Sequence, residues 1–141
     1  MDPQTHEGGC LCGAVRYRHD GALRPIVACH CRQCRRTSGH YVAATQGYRE
    51  RLSLLTDDGL RWYVSSPGIR RGFCSRCGSS LFWEREGSGR VSIMAGTLDT
   101  PTGLRMVQHI HTRYAGDYYE IDPVLPAFGD GAEMPPIPDD H

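Results

Sequence analysis

The sequence predicts an all-β domain. Many short runs alternate apolar and polar residues, turn-forming dipeptides separate them at close spacing, and no long hydrophobic period of 3.6 residues develops anywhere. A length of 141 residues suits one domain able to bury one core. With 39% hydrophobic and 23% charged residues, a wholly disordered chain is excluded. No run approaches the roughly 18 consecutive apolar residues of a membrane span, so no membrane partner is expected. The formal net charge is zero, and all 16 basic residues are Arg, Lys being absent. No bulk field therefore draws the chain to nucleic acid.

Residues 1–9 are polar with two glycines and read as a loose lead-in. The alternation in residues 14–19 predicts a half-buried strand, and residues 25–28 a short strand that delivers Cys29. From Cys31 to Ser38 the chain is polar and ends at Gly39, which fits a short helical turn with Cys31 and Cys34 on one face. Strand-like runs follow at 41–44, 52–55, 60–64, 69–73, 80–83, 91–95 and 106–110. Asp57-Asp58-Gly59, Ser66-Pro67-Gly68, Gly87-Ser88-Gly89 and Thr100-Pro101-Thr102-Gly103 supply turns between them. Trp62, Phe82 and Trp83 read as core residues rather than ligand-stacking ones. The segment 129–141, rich in Pro, Gly and Asp, reads as a mobile tail or one lying across a partner subunit, as in a homodimer.

Seven cysteines carry the chemistry. They fall into CxC (Cys10, Cys12), CxCxxC (Cys29, Cys31, Cys34) and CxxC (Cys74, Cys77), with none elsewhere. An odd number cannot all pair as disulfides. The segment MDPQTHEGG lacks the basic and apolar regions of a secretory signal, so a cytoplasmic, reducing compartment is expected, where such clusters bind metal or react. Cys74-Ser75-Arg76-Cys77-Gly78 has the form of a zinc knuckle, and Cys10-Leu11-Cys12-Gly13 is a shorter version. Each ends in Gly, which accepts the positive φ such turns require. Together they supply four sulfurs, the set of a closed tetrahedral structural zinc.

Cys29, Cys31 and Cys34 remain. Three thiolates within six residues can share a second zinc and leave its fourth position open, the mark of a reactive site. Three thiolates make that zinc electron-rich, a poor activator of water and a good partner for a soft substrate thiol held as a nucleophile. Alternatives are closure by His40 or another chain into a second structural site, His30 pointing away, and an iron–sulfur cluster, whose usual spacings do not match. Arg32, Arg35 and Arg36 can offset the cluster's charge or bind a substrate carboxylate, against the ordinary reading of a solvated face. His109 and His111 alternate along a strand, so one can face a pocket.

Three segments carry a resemblance. Residues Gly8-Gly9-Cys10-Leu11-Cys12-Gly13-Ala14-Val15-Arg16-Tyr17 resemble the opening motif of the glutathione-dependent formaldehyde-activating enzyme family, which includes the centromere protein V-like proteins. Cys29-His30-Cys31-Arg32-Gln33-Cys34-Arg35-Arg36-Thr37-Ser38-Gly39 resembles its second motif, and Arg71-Gly72-Phe73-Cys74-Ser75-Arg76-Cys77-Gly78-Ser79-Ser80-Leu81 its third. Asp117-Tyr118-Tyr119-Glu120-Ile121, followed by Leu125-Pro126-Ala127-Phe128, is similar to its C-terminal strand. The resemblance spans residues 7–128, leaving 1–6 as a flexible N-terminus and 129–141 as a flexible tail. It implies a zinc-stapled β-tent of small antiparallel sheets with short helical turns. It implies two zinc ions, a structural one on Cys10, Cys12, Cys74 and Cys77 and a catalytic one on Cys29, Cys31 and Cys34. The implied activity is a carbon–sulfur lyase type: glutathione adds to formaldehyde to give S-hydroxymethylglutathione. Two other functions remain open at this point: a non-enzymatic zinc-binding interaction module of the centromere protein V-like type, or the same chemistry on another small-molecule thiol and aldehyde.

Overall fold

The fold is all-β, with one short α-helix and three single-turn 3-10 helices among the described residues beside two sheets. The structure, a computed structural model, describes residues 5–138. Strands β1 (Thr5–Gly9), β2 (Arg16–Asp20) and β5 (Leu52–Thr56) form a three-stranded antiparallel sheet in the order β1-β2-β5. The second sheet has seven strands: β3 (Ile26–Cys29), β4 (Val42–Tyr48), β6 (Leu60–Ser66), β7 (Ile69–Cys74), β8 (Ser80–Arg85), β9 (Arg90–Met94) and β10 (Met106–Ile110). Their order is β10-β3-β4-β9-β8-β7-β6. Helix α1 (Arg32–Ser38) follows β3 directly.

Burial explains why these runs become strands. In β2, Tyr17 and His19 point inward while Arg16, Arg18 and Asp20 stay part-exposed, the period of two that one buried face requires. Central β9 is buried from Val91 to Met94, as a strand covered on both faces should be, whereas edge strand β6 leaves Tyr63 and Val64 in solvent. Val15, Tyr17, Leu52, Leu81, Phe82, Val91 and Ile93 pack together as the main core, with Cys10, Trp62 and Cys77 against it. Phe82 is fully buried and meets Tyr17 edge-on, ring centroids 5.3 Å apart. Its burial is worth about 1.5–3 kcal/mol. A second small cluster joins Cys34, Val42, Ala44 and Met94, flanked by Cys29, Cys31 and Trp83. Phe82 is thus core as expected, Trp62 packs on the core, and Trp83 belongs to the smaller cluster.

Four expectations need correction. Residues 5–9 are strand β1, not loose lead-in, so the flexible N-terminus expected over 1–6 does not hold for Thr5 and His6; residues 1–4 lie outside the described residues. Gly8 shows why composition concealed this: a Cβ there would collide with the Tyr17 hydroxyl and the Thr97 carbonyl, so β1 is admitted by close approach rather than by apolar patterning. The sheets are not antiparallel throughout, because β10 pairs parallel to β3. Residues 117–121 form a turn rather than a strand. Finally, the described part of the 129–141 tail lies on its own chain. Strand β10 is a sheet edge, and the segment after Pro126 occupies its free backbone groups: His109 N–H donates to Pro126 O, Phe128 N–H to His109 O, and His111 N–H to Asp130 O. Arg113 pairs with Asp130 at 2.8 Å. Residues 139–141 of that tail lie outside the described residues.

Candidate metal centres

The fold gathers the seven cysteines into two groups, and all seven thiols are free. Cys10 and Cys12 sit in the turn between β1 and β2; Cys74 ends β7, and Cys77 lies in the turn before β8. Both turns close on a glycine with positive φ, Gly13 at 84° and Gly78 at 81°. The Leu11 N–H donates to Ser79 Oγ at 3.1 Å, tying one knuckle to the other. Cys10 and Cys12 sulfurs are 3.8 Å apart, as are those of Cys12 and Cys74. A disulfide needs about 2.05 Å. A tetrahedron with metal–sulfur bonds of about 2.3 Å has an edge of about 3.8 Å, so the quartet fits a closed zinc site. The Ser79 hydroxyl beside its sulfur, then the Ser79 backbone, brings the Cys77 thiol down to about 5, readying it as a thiolate ligand. Val15 N–H donates to Cys10 Sγ at 3.2 Å.

The trio is assembled locally. Cys29 is the last residue of β3, Cys31 is the N-cap of α1, and Cys34 lies in its first turn. Their sulfurs lie within 4.8 Å of one another. Cys31 Sγ accepts the Cys34 N–H at 3.4 Å, so one sulfur serves as both helix cap and candidate ligand. Hydrogen bonds from the Cys29 and Cys34 thiols bring Cys31 down to about 2, and the same contact with Cys31 raises Cys29. The thiolate form is thus favoured at the capping sulfur. A set of three soft donors, one already favouring the thiolate, suits zinc.

No histidine joins this group among the described residues. His30 is buried and turned away: its Nδ1 meets the Tyr119 hydroxyl and its Nε2 meets His109 Nδ1 at 2.9 Å. Burial, then His109, then His40 hold His30 down to about 4. His40 is exposed, with Nδ1 2.7 Å from the Tyr118 hydroxyl. His109 is buried in the same cluster, while His111 lines the same cavity as the trio.

The trio lines a cavity of about 710 Å³ that the quartet does not reach. Val42, Ala44, Trp83 and Met94 form an apolar wall, and Met134 of the tail closes another side. The cavity's arginines are Arg24, Arg71, Arg85 and Arg90. Arg71 is buried and places Nη2 3.9 Å from Cys34 Sγ. Arg32, Arg35 and Arg36 lie on α1 and are not among the lining residues; Arg32 and Arg36 are exposed. Sequence reading overlooked the four cavity arginines because they come from four separate places: the loop before β3, the interior of β7, the end of β8 and the start of β9. The only hint was that three of them lie in or next to strand-like runs, where an Arg facing the buried side is unexpected.

Known proteins bear on these sites. The family model described as glutathione-dependent formaldehyde-activating enzyme matches residues 5–114. A Halomonas elongata protein named "Putative glutathione-dependent formaldehyde-activating enzyme" is 36% identical over 85 residues, covering 54% of each chain. An uncharacterized lyase of Schizosaccharomyces pombe is 29% identical over 79 residues, covering 55% of this chain and 56% of its own. The chain thus spans about half the length of the curated relatives it matches. A crystal structure of a Rhodobacter sphaeroides protein superimposes with a TM-score of 0.57 at 23% identity, over 71% of this chain and 97% of that one, a likeness of fold.

Proposed function

Because the chain belongs to the glutathione-dependent formaldehyde-activating enzyme family, we propose that it adds a small thiol to an aldehyde, with glutathione and formaldehyde as the default pair. The supporting observation is that Cys29, Cys31 and Cys34 open into a cavity of about 710 Å³ while the quartet is closed by its own four sulfurs. The quartet Cys10, Cys12, Cys74 and Cys77 would hold a structural zinc, and the trio would hold a catalytic one. Zinc held there would be thiophilic and would favour the thiolate form of a substrate.

The chain's residues do the rest. Arg71, beside Cys34, offsets the negative charge of three thiolates in a part-buried site. The Cys31 cap and the Cys34 N–H hold the triangle of sulfurs to the helix end. The wall of Val42, Ala44 and Trp83 gives the cavity an apolar face beside the sulfurs. In the reaction the thiol sulfur bonds to the aldehyde carbon, the carbonyl π bond breaks, and the thiol proton ends on the former carbonyl oxygen. Atoms and charge balance with no further reactant.

The test is exchange between free and thiol-bound formaldehyde, followed by NMR at equilibrium with and without zinc-loaded protein. Faster exchange with the intact protein, absent in Cys31→Ser, is expected. Equal rates for protein, variant and buffer overturn the proposal.

A further inference from the structure

We infer that residues 131–138 form a stiff arm hinged at Gly131, and that Met134 on this arm gates entry to the cavity of Cys29, Cys31 and Cys34. Its role rests on the proposed reading of that trio as the thiol-binding metal site. The arm lies beyond residues 5–114, the part of the chain that the family model matches.

The segment after Pro126 changes character at Asp130. Up to that residue its backbone is tied to β10 and to residues 111–113 after it. Pro126 O accepts His109 N–H at 2.9 Å, Phe128 N–H donates to His109 O at 3.0 Å, and Phe128 O accepts Thr112 N–H at 3.0 Å. Asp130 O accepts His111 N–H at 2.9 Å, and the Asp130 carboxylate pairs with Arg113. Past Asp130, among the described residues, the backbone takes one hydrogen bond, and it comes from a side chain: Gln108 Nε2 donates to Glu133 O at 3.3 Å. The same nitrogen stands 3.8 Å from Met134 Sδ, a weak acceptor. None of residues 131–138 is buried. Yet Gly131, Ala132 and Met134 line the trio's cavity of about 710 Å³. A wall with one side-chain tether and little buried surface opens at low cost.

The sequence supplies both hinge and lever. Gly131 is the first residue past the last backbone anchor, and glycine turns freely there. Pro135, Pro136 and Pro138 follow Met134 closely. Each fixes its own φ and restricts the residue before it, so residues 134–138 stay extended and move as a unit. Rotation at Gly131 therefore carries Met134 out of the cavity wall without disturbing the anchored stretch 126–130. Met134 is the largest side chain that the arm places in the lining, and its unbranched thioether adapts to an irregular wall. Molecules reach the trio as fast as this side chain clears the way.

Transfer of zinc from the loaded protein to the chelating dye 4-(2-pyridylazo)resorcinol tests this, read by absorbance. The early step, from the trio, should quicken about tenfold or more in a chain ending at Asp130 and about threefold in Met134→Ala, the effect of losing a packed side chain and a tether. The late step, from the quartet, should stay unchanged and so shows that the variants are folded. Gly131→Ala should slow the early step about two- to fivefold, because it restricts the hinge. A Cβ there meets the His111 ring at 3.7 Å, an ordinary contact. Equal early rates in the full and shortened chains, or Met134→Ala and Gly131→Ala shifting the rate in the same direction, overturn the gate. The thiol reading fails separately: if the variants act as expected but glutathione leaves the early step unaltered in all of them, the gate stands and the trio does not hold the thiol. An early step missing from every chain removes both.

Discussion

The quartet and the trio use the same atom for opposite ends. The quartet draws Cys12 and Cys74 together from 62 residues apart and joins the turn of one sheet to a turn of the other. Cys10 and Cys77 pack against the main core, and Cys74 is fully buried within it. The trio spans six residues on one strand end and one helical turn, and it packs against four small-cluster residues beside a cavity. Burial alone does not separate them, since each has one buried and otherwise part-exposed or exposed sulfurs. What separates them is the number of sulfurs and how much chain they join. On the proposed reading, a fourth sulfur would saturate a bound metal and long separation would make that site a staple, whereas three sulfurs held locally would leave one position open at little cost to the fold.

The largest expected effect follows from that. Cys74→Ser leaves a hydroxyl in the core and breaks a site worth about 10–16 kcal/mol when metal-loaded, comparable with the about 5–15 kcal/mol stability of a whole domain. It should abolish cooperative unfolding, as read by circular dichroism on heating. Cys31→Ser should shift the melting temperature by less than about 5 °C while weakening the second zinc by more than about 100-fold, measured by metal competition. Equal damage from the two variants would erase the distinction.

Gly59→Ala sharpens it at finer scale. A Cβ at Gly59 would stand 2.6 Å from Cys74 Sγ and 3.0 Å from Ala14 Cβ, so the quartet must shift. A loss of about 1–3 kcal/mol in chemical denaturation is expected, with thiol binding at the trio retained. The smallest effect concerns pH. His19, fully buried beneath β2, is held below its ordinary value by burial, opposed by bonds to Tyr48 O and Gly21 O. The unfolded state takes up the proton first, so this contribution is complete above about pH 6.5 and is lost as pH falls below it. Denaturation curves between pH 7.5 and 5 should show a shallower decline in His19→Gln than in the native chain.

Much of this was legible in advance. The 4 + 3 division of cysteines needed only spacing, because CxC and CxxC turns closed by glycine present sulfurs without help from the rest of the fold. The strands with alternating burial were readable for the same local reason. Strand β1 was not, since its polar residues are held by pairing with β2 and by the space under Gly8. Nor was the tail's attachment, which satisfies backbone groups of β10 that no side-chain pattern advertises. The cavity arginines are the clearest case: Arg24, Arg71, Arg85 and Arg90 converge only through sheet order, whereas the neighbouring Arg32, Arg35 and Arg36 drew attention by proximity in sequence alone.

The most direct test of the two-site account is zinc content during graded chelation, by elemental analysis of the recovered protein. Two ions per chain should leave in two steps, the first early and delayed by glutathione, the second only as the fold melts, with the early step missing in Cys31→Ser. Release of both ions together, or an early step untouched by that substitution, would contradict it.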